Sequence, residues 1–298
     1  MNRILITSIF LFITGIGFAQ NGKILSKKLI DISLLPYWYQ FSENDTLKSN
    51  YKYLNKLDFY AITYQSDSSI VKGIIIEPKK EGIYPVVIFN RGGNAKFAKL
   101  DVSTLILFTS KLAEQGYVII ATNYREEEEY GGEDVNDVLY LTKTIKEVKK
   151  ADTSKIGMFG WSRGGMMTYL ALQKSDKIKT AIVGNGPSDL FAIAKYRPFV
   201  EEKVFANFIP NYWENKETEL KNRSVIYWAN ELNKSSSLLI LCGTKDRSCP
   251  QEQSDKISNL LKDLSFDYQL KKYETDHFFS DKRDELNKEV INWFNKRL

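Results

Sequence analysis

Histidine is nearly absent from this 298-residue chain: His277 is its single imidazole, and cysteine occurs only as Cys242 and Cys249. So small a supply excludes a zinc site built from clustered His and Cys. Neither a phosphate-binding P-loop nor a G-x-G-x-x-G dinucleotide fingerprint occurs, so the sequence implies no cofactor. Charge of one sign is also lacking. The 42 basic and 37 acidic residues are well mixed and leave a net +5, with no basic stripe of the kind that marks a nucleic-acid partner. No internal repeat or low-complexity block is found. Beyond the first twenty residues no apolar run is long enough to span a bilayer.

The first twenty residues differ from the rest. Arg3 gives a positive start, Ile4 to Ile16 is almost unbroken apolar sequence, and Gly17-Phe18-Ala19 offers small residues for a cleavage site. This pattern predicts a signal peptide over residues 1–19, a mature chain beginning near Gln20, and a periplasmic or secreted protein. An uncleaved membrane anchor is the alternative. No cysteine follows the cleavage point, which argues against a lipoprotein. In an oxidising compartment Cys242 and Cys249 are candidates for a small disulfide loop around Asp246, provided a turn brings their Cα atoms within about 7 Å. The alternative is a buried Cys242 and a free Cys249.

Hydrophobic residues at 43% and aromatics at 13% fit a folded domain. From about residue 57 onward, strand-like and helix-like segments alternate. Eight segments read as strands: 60–64, 71–76, 85–89, 118–121, 156–159, 178–183, 238–241 and 268–273. Helices are expected over 101–115, from Asp134 onward, over 166–173 and over about 282–296, where Leu286, Val290, Ile291 and Phe294 recur at helical spacing. The alternation predicts an α/β fold with a mainly parallel eight-stranded sheet and helices on both faces. Residues 20–55 read as a short N-terminal extension and 56–298 as the core domain. The aromatic-rich excursion 187–235 reads as a small helical cap over the site, with ordinary packing helices on the rim as the alternative.

Chemistry concentrates at three places. Gly160-Trp161-Ser162-Arg163-Gly164 is a G-x-S-x-G run at a strand-to-helix junction, the setting in which a serine hydroxyl projects above a sheet as a nucleophile. Asp246 follows the strand 238–241, and His277 follows the last strand. The order Ser, Asp, His is that of α/β-hydrolases. Ser162 is therefore expected as nucleophile, His277 as general base and Asp246 as the acid orienting the imidazole. Asp189 is a competing acid, and Asp276 is too close in sequence to face the ring. The oxyanion hole is expected from the Arg163 N–H and the loop carrying Arg91 and Gly92, with the Arg91 guanidinium either near the oxyanion or in a salt bridge at the loop base. Trp161, Arg91 and Tyr124 are the candidate substrate contacts. The run Glu126–Glu129 reads as a solvated acidic loop, or else as an attractor for a cationic group.

These residues resemble the catalytic domain of the prolyl oligopeptidase family of serine peptidases. Gly160-Trp161-Ser162-Arg163-Gly164-Gly165 is similar to that family's G-W-S-x-G-G nucleophile motif. The stretch from Gly243 to Pro250 is similar to its G-x-x-D-x-x-V-P acid motif, with Cys249 in place of valine. The stretch from Gly131 to Val138 is similar to its G-G-x-D-V-x-D-V run. The resemblance covers roughly residues 57–298 and implies a peptidase acting through an acyl-enzyme on small peptides. A carboxylesterase is the second expectation, and a silent hydrolase fold used for binding is the third. Two departures stand out: residues 20–55 are too few for the family's β-propeller, and Arg91 stands where histidine or tyrosine is usual. Oligomeric state is not legible in the sequence.

Overall fold

The runs 85–89, 118–121 and 238–241 are apolar on both faces, and that forces them into a covered sheet. They are segments of a larger set in the computed structural model, which describes residues 20–298; the leader read over residues 1–19 lies outside the described residues. The strands are β1 (Ile24–Leu29), β2 (Ser42–Glu43), β3 (Thr46–Leu47), β4 (Leu57–Ser66), β5 (Ser69–Pro78), β6 (Tyr84–Asn90), β7 (Val118–Thr122), β8 (Ala151–Trp161), β9 (Ile178–Gly184), β10 (Ser237–Gly243) and β11 (Tyr268–Tyr273). The helices are α1 (Val102–Phe108), α2 (Ser110–Glu114), α3 (Asp134–Thr144), α4 (Arg163–Lys174), α5 (Leu190–Tyr196), α6 (Pro198–Val200), α7 (Ala206–Phe208), α8 (Tyr212–Asn222), α9 (Gln251–Asp263) and α10 (Arg283–Arg297).

One nine-stranded sheet runs in the order β1-β4-β5-β7-β6-β8-β9-β10-β11, while β2 and β3 form a separate hairpin. The pairs from β7 through β11 are parallel, and β1, β4 and β5 pair antiparallel. Alternate side chains of the central strands feed two cores. Val86 and Ile88 face the layer of α3, α4 and α9; Val87 and Phe89 face the layer of α1, α2 and α10. After β6 the chain steps outward to β7, then returns to the other side of β6 as β8. The order therefore reverses at β6, where ligands of open α/β sheets bind beyond the carboxyl ends of the strands. Register puts Asn90 beside Gly160 and Trp161 beside Gly184 at that edge.

The expected α/β-hydrolase sheet is present, with one strand more than the eight expected. The extra strand, β1, lies in the segment read as a plain extension. It pairs with β4 at the sheet edge and buries little, with Lys27 and Lys28 in its sequence. An edge strand needs no apolar alternation to be held by its ladder, so periodicity gives no signal there. The helix expected over 101–115 is broken in two at Thr109, whose hydroxyl donates to the Leu105 carbonyl at 2.9 Å. Asp101 caps the first half through the Thr104 N–H at 2.7 Å. The excursion 187–235 holds α5 to α8, and its Phe205, Tyr212, Leu220 and Val225 belong to the core on the α4 and α9 face. Among the described residues no helix is long and apolar enough to cross a membrane.

The disulfide expectation fails. Cys242, near the end of β10, and Cys249, just before α9, are both buried and both free thiols. The loop between them is closed instead by the Asp246 carboxylate, whose Oδ1 accepts from Ser248 N–H at 2.6 Å and Cys249 N–H at 2.9 Å. Burial pushes the pKa of both thiols up, and the nearby Asp246 adds to the rise at Cys249. A raised pKa means less thiolate at mildly alkaline pH and a slower thiol. Native protein at about pH 8 is therefore expected to react slowly with an aromatic disulfide reagent and to titrate both thiols once unfolded without reductant. No titratable thiol after unfolding would show that the bridge exists.

Candidate active site

Strand β8 is buried along its last six residues, and α4 begins immediately after Ser162. Turning from strand to helix in so few residues puts Ser162 at φ 55°, ψ −126°, a conformation that a non-glycine residue adopts only under strain. The turn is close-packed. A Cβ at Gly160 would collide with the Gly164 carbonyl, and one at Gly164 with the Asn90 carbonyl. The Ser162 N–H donates to Gly184 O at 2.9 Å and its carbonyl accepts from Gly165 N–H at 2.8 Å, which pins the main chain on both sides. The hydroxyl does not cap the helix. It stays half-buried at the head of α4, where the first N–H groups lack intrahelical partners and the helix dipole is positive.

His277 and Asp246 come together. The ring Nδ1 lies 2.6 Å from Asp246 Oδ2, and the carboxylate's other oxygen takes the two loop N–H groups described above. That arrangement fixes the tautomer: Nδ1 carries the proton toward the carboxylate, and the lone pair resides on Nε2. The His277 main chain is fixed as well. Its carbonyl accepts from the Trp161 indole at 3.1 Å and from the Asn185 amide at 2.9 Å. Asn185, itself at φ 46°, also accepts from Gly243 N–H at 2.8 Å. Among the described residues no hydrogen bond joins the Ser162 hydroxyl to the His277 ring, whose recorded partner is Asp246.

The competing acids are occupied elsewhere. Asp189 caps α5 through the Ala192 N–H at 3.1 Å and pairs with Lys256 at 2.7 Å. Asp276 holds the turn after His277, accepting from Phe278 N–H, Ser280 N–H and the Ser280 hydroxyl at 3.0, 2.9 and 2.7 Å.

Gly92 packs directly against Ser162: a Cβ there would come 3.1 Å from Ser162 Cβ and 3.7 Å from Oγ. The side chains expected at the substrate are another matter. Arg91, Trp161 and Tyr124 are only 1%, 3% and 3% exposed. The Arg91 guanidinium pairs with Glu128 and donates to Gly92 O at 2.9 Å and Asn123 O at 2.8 Å, which is the salt bridge at the loop base and keeps the side chain beneath the surface, away from an oxyanion or a substrate carboxylate. The Trp161 ring packs on Phe108 and Phe279, with centroids 4.8 and 5.5 Å away, so it serves the His277 loop from beneath. Tyr124 donates its hydroxyl to Arg91 O at 3.1 Å and lies 4.7 Å from the guanidinium carbon of both Arg91 and Arg163. Burial in this tightly packed layer rules all three side chains out as contact surface.

Sequence reading missed two residues here. Asn185 gives no signal, because a lone asparagine after a strand carries no motif. Glu128 was concealed within an acidic run that reads as solvated; Glu126 and Glu127 are exposed, whereas Glu128 is buried between Arg91 and Arg163. Among the described residues no group of three His, Cys, Asp or Glu side chains is placed to hold a metal ion.

Comparison with known proteins identifies the family. Residues 106–298 match the model of the Prolyl oligopeptidase family. The peptidase YtmA of Bacillus subtilis (strain 168) is 25% identical over 247 residues, covering 80% of this chain and 93% of that protein. Among solved structures, an acylaminoacyl peptidase of Pyrococcus horikoshii superposes with a TM-score of 0.68 at 23% identity, covering 84% of this chain and 43% of that one. This chain thus spans under half the length of that solved enzyme. An acetyl xylan esterase from Paenibacillus sp. R4 superposes with a TM-score of 0.66 at 16% identity, covering 92% of this chain and 88% of the esterase. At such identities these two structures establish the fold alone. With the family model spanning the nucleophile turn, the acid loop and the histidine loop, the chain belongs to the prolyl oligopeptidase family of serine hydrolases, and the described residues form an α/β-hydrolase domain of that kind.

Proposed function

We propose that this chain is an exported serine peptidase that cleaves amide bonds of small peptides through an acyl-enzyme. Ser162 attacks the carbonyl, His277 takes the hydroxyl proton and later returns it to the leaving amine, and Asp246 holds the ring and stabilises the imidazolium. The observation that carries this reading is the 2.6 Å contact between Asp246 and the only histidine in the chain. It leaves Nε2 as the basic nitrogen at the sheet edge that also bears the strained serine. The Arg163 N–H at the head of α4 and the Gly92–Gly93 main chain supply the oxyanion donors in this reading. In this reading the excursion 187–235 borders the site, supported by Arg197, which donates to Ser248 O at 3.3 Å beside the acid loop. Peptides are favoured by family membership.

Ester hydrolysis is the second reading. Its specific support is the likeness to the acetyl xylan esterase, which spans nearly the whole of both chains, together with the lower barrier that an ester presents to the same machinery.

Three outcomes are expected. Wild-type protein should be labelled by a fluorophosphonate probe and should hydrolyse aminoacyl anilides with an efficiency comparable to p-nitrophenyl esters. Ser162→Ala should abolish labelling and lower turnover by at least about 10³-fold. Ester activity without anilide activity would select the esterase, and labelling that survives the substitution would remove Ser162 as nucleophile.

His277→Ala should lower kcat/KM by at least about 10³-fold, since it removes the group that takes the hydroxyl proton. Wild-type turnover in that variant would eliminate His277 from this role.

Export is supported by the order of positive, apolar and small residues over residues 1–19. Mass spectrometry of protein recovered outside the inner membrane is expected to show a chain starting at Gln20; an intact Met1 on that material would refute cleavage.

A further inference from the structure

Two arginines flank the reaction centre in sequence and are sunk beneath it in space. Arg91 precedes the Gly92–Gly93 loop and Arg163 follows Ser162, so each belongs to one of the two backbone pieces that carry oxyanion donors. Both guanidiniums pair with one carboxylate, Glu128, through its two different oxygens. Arg163 pairs further with Asp134, so two cations and two anions form a neutral cluster whose side chains are at most 1% exposed. The guanidiniums also grip the glycine loop. Arg91 Nη1 donates to Gly92 O at 2.9 Å, and Arg163 Nη1 donates to Gly93 O at 3.2 Å.

A planar trans peptide holds its C=O and N–H on opposite sides. Drawing the Gly92 carbonyl into the cluster therefore turns the Gly93 N–H away from it. That N–H has no main-chain acceptor among the described residues, whereas the next one along, Asn94 N–H, is taken by Phe97 O at 2.8 Å. Stability alone does not explain the arrangement. The Nε atoms of both arginines are buried without a partner, and a buried ion cluster with unsatisfied donors contributes little over apolar packing.

We propose that Glu128 is a positioning residue for the oxyanion hole: it clamps the Arg91 loop to the Arg163 helix end and thereby fixes the spacing and direction of the donor N–H groups. The proposal rests on the serine-hydrolase reading above and adds to it a group that touches neither substrate nor triad. Its function is geometric, and it is felt only where charge develops on the carbonyl oxygen.

The test compares wild type, Glu128→Gln and Ser162→Ala in full-length protein with a p-nitrophenyl acyl ester and an alkyl boronic acid, which mimics the tetrahedral intermediate. Glu128→Gln is expected to lower kcat by roughly 10- to 100-fold, since it displaces donors without deleting them. KM should stay within about threefold, because ground-state binding does not use the oxyanion donors. Boronate affinity should fall by the same factor as kcat/KM. A folded Glu128→Gln protein with wild-type kcat, or with unchanged boronate affinity, overturns the clamp. Where Glu128→Gln does not fold, Arg91→Lys keeps the cluster neutral but cannot span Glu128, Gly92 O and Asn123 O at once; a roughly tenfold loss in kcat is expected, and full activity overturns the proposal. Turnover that survives Ser162→Ala would instead defeat the nucleophile assignment, so the two failures are distinguishable.

Discussion

The structure turns on one backbone constraint, the passage from β8 to α4 through Ser162. Holding a serine at φ 55° costs about 1–3 kcal/mol. The surroundings offset that cost: a fully buried strand end before it, a buried helix after it, and two glycines where the crossing chain of Asn90 and the helix start leave no space for a side chain. A relaxed turn would spread over more residues and lower the hydroxyl toward the sheet. The strained one lifts it to the edge and places it over the open N–H groups of the helix.

The same turn also locates the base. Trp161 is covalently next to Ser162, and its indole N–H holds the His277 carbonyl. The His277 main chain is thus tied to the Ser162 turn by one residue of chain and one hydrogen bond, not only by the long path through β9, β10 and β11. Asn185 repeats the device from the end of β9, joining the His277 carbonyl to the last residue of β10 through Gly243 N–H. Ring orientation is a separate matter, governed by Asp246, whose second oxygen is fixed by its own loop. Position and orientation of the imidazole therefore have independent supports, and loss of one leaves the other in place.

Much of this was legible because it is written in local pattern. Two-sided apolar runs gave the central strands, and the glycine-flanked serine, the later aspartate and the single histidine marked the three residues on which the proposed function rests. Tertiary partners are not written that way. β1 is held by a ladder to β4 and needs no apolar face, so it escaped notice. Arg91, Trp161 and Tyr124 are polar or amphipathic residues beside a motif, and sequence alone favours reading them as contacts. Burial decides the opposite, and burial depends on Glu128 being 37 residues from Arg91 yet paired with it. A run of four glutamates shows no difference between the two members that face water and the one that neutralises two arginines.

Buried charge explains why the motif stretches before the nucleophile carry acids that perform no chemistry. Asp134 accepts from Gly131 N–H at 2.9 Å and pairs with Arg163; Asp137 pairs with Arg125 at 2.9 Å and accepts from the Ser66 hydroxyl at 2.5 Å. Each anchors an arginine just past a strand end, Arg163 after β8 and Arg125 after β7. Removing one partner of such a pair strands a charge in a dry interior, at about 3–5 kcal/mol, while the intact pair adds little net stability. That asymmetry makes the pairs specific rather than strong. An alternative packing that moved α3 against α4 would orphan a guanidinium at once, whereas an apolar seam of equal volume would tolerate a slip. Asp134 of α3 thus holds α4, the helix that begins just after Ser162, to a single register, while Asp137 ties α3 to the Arg125 loop and to β4.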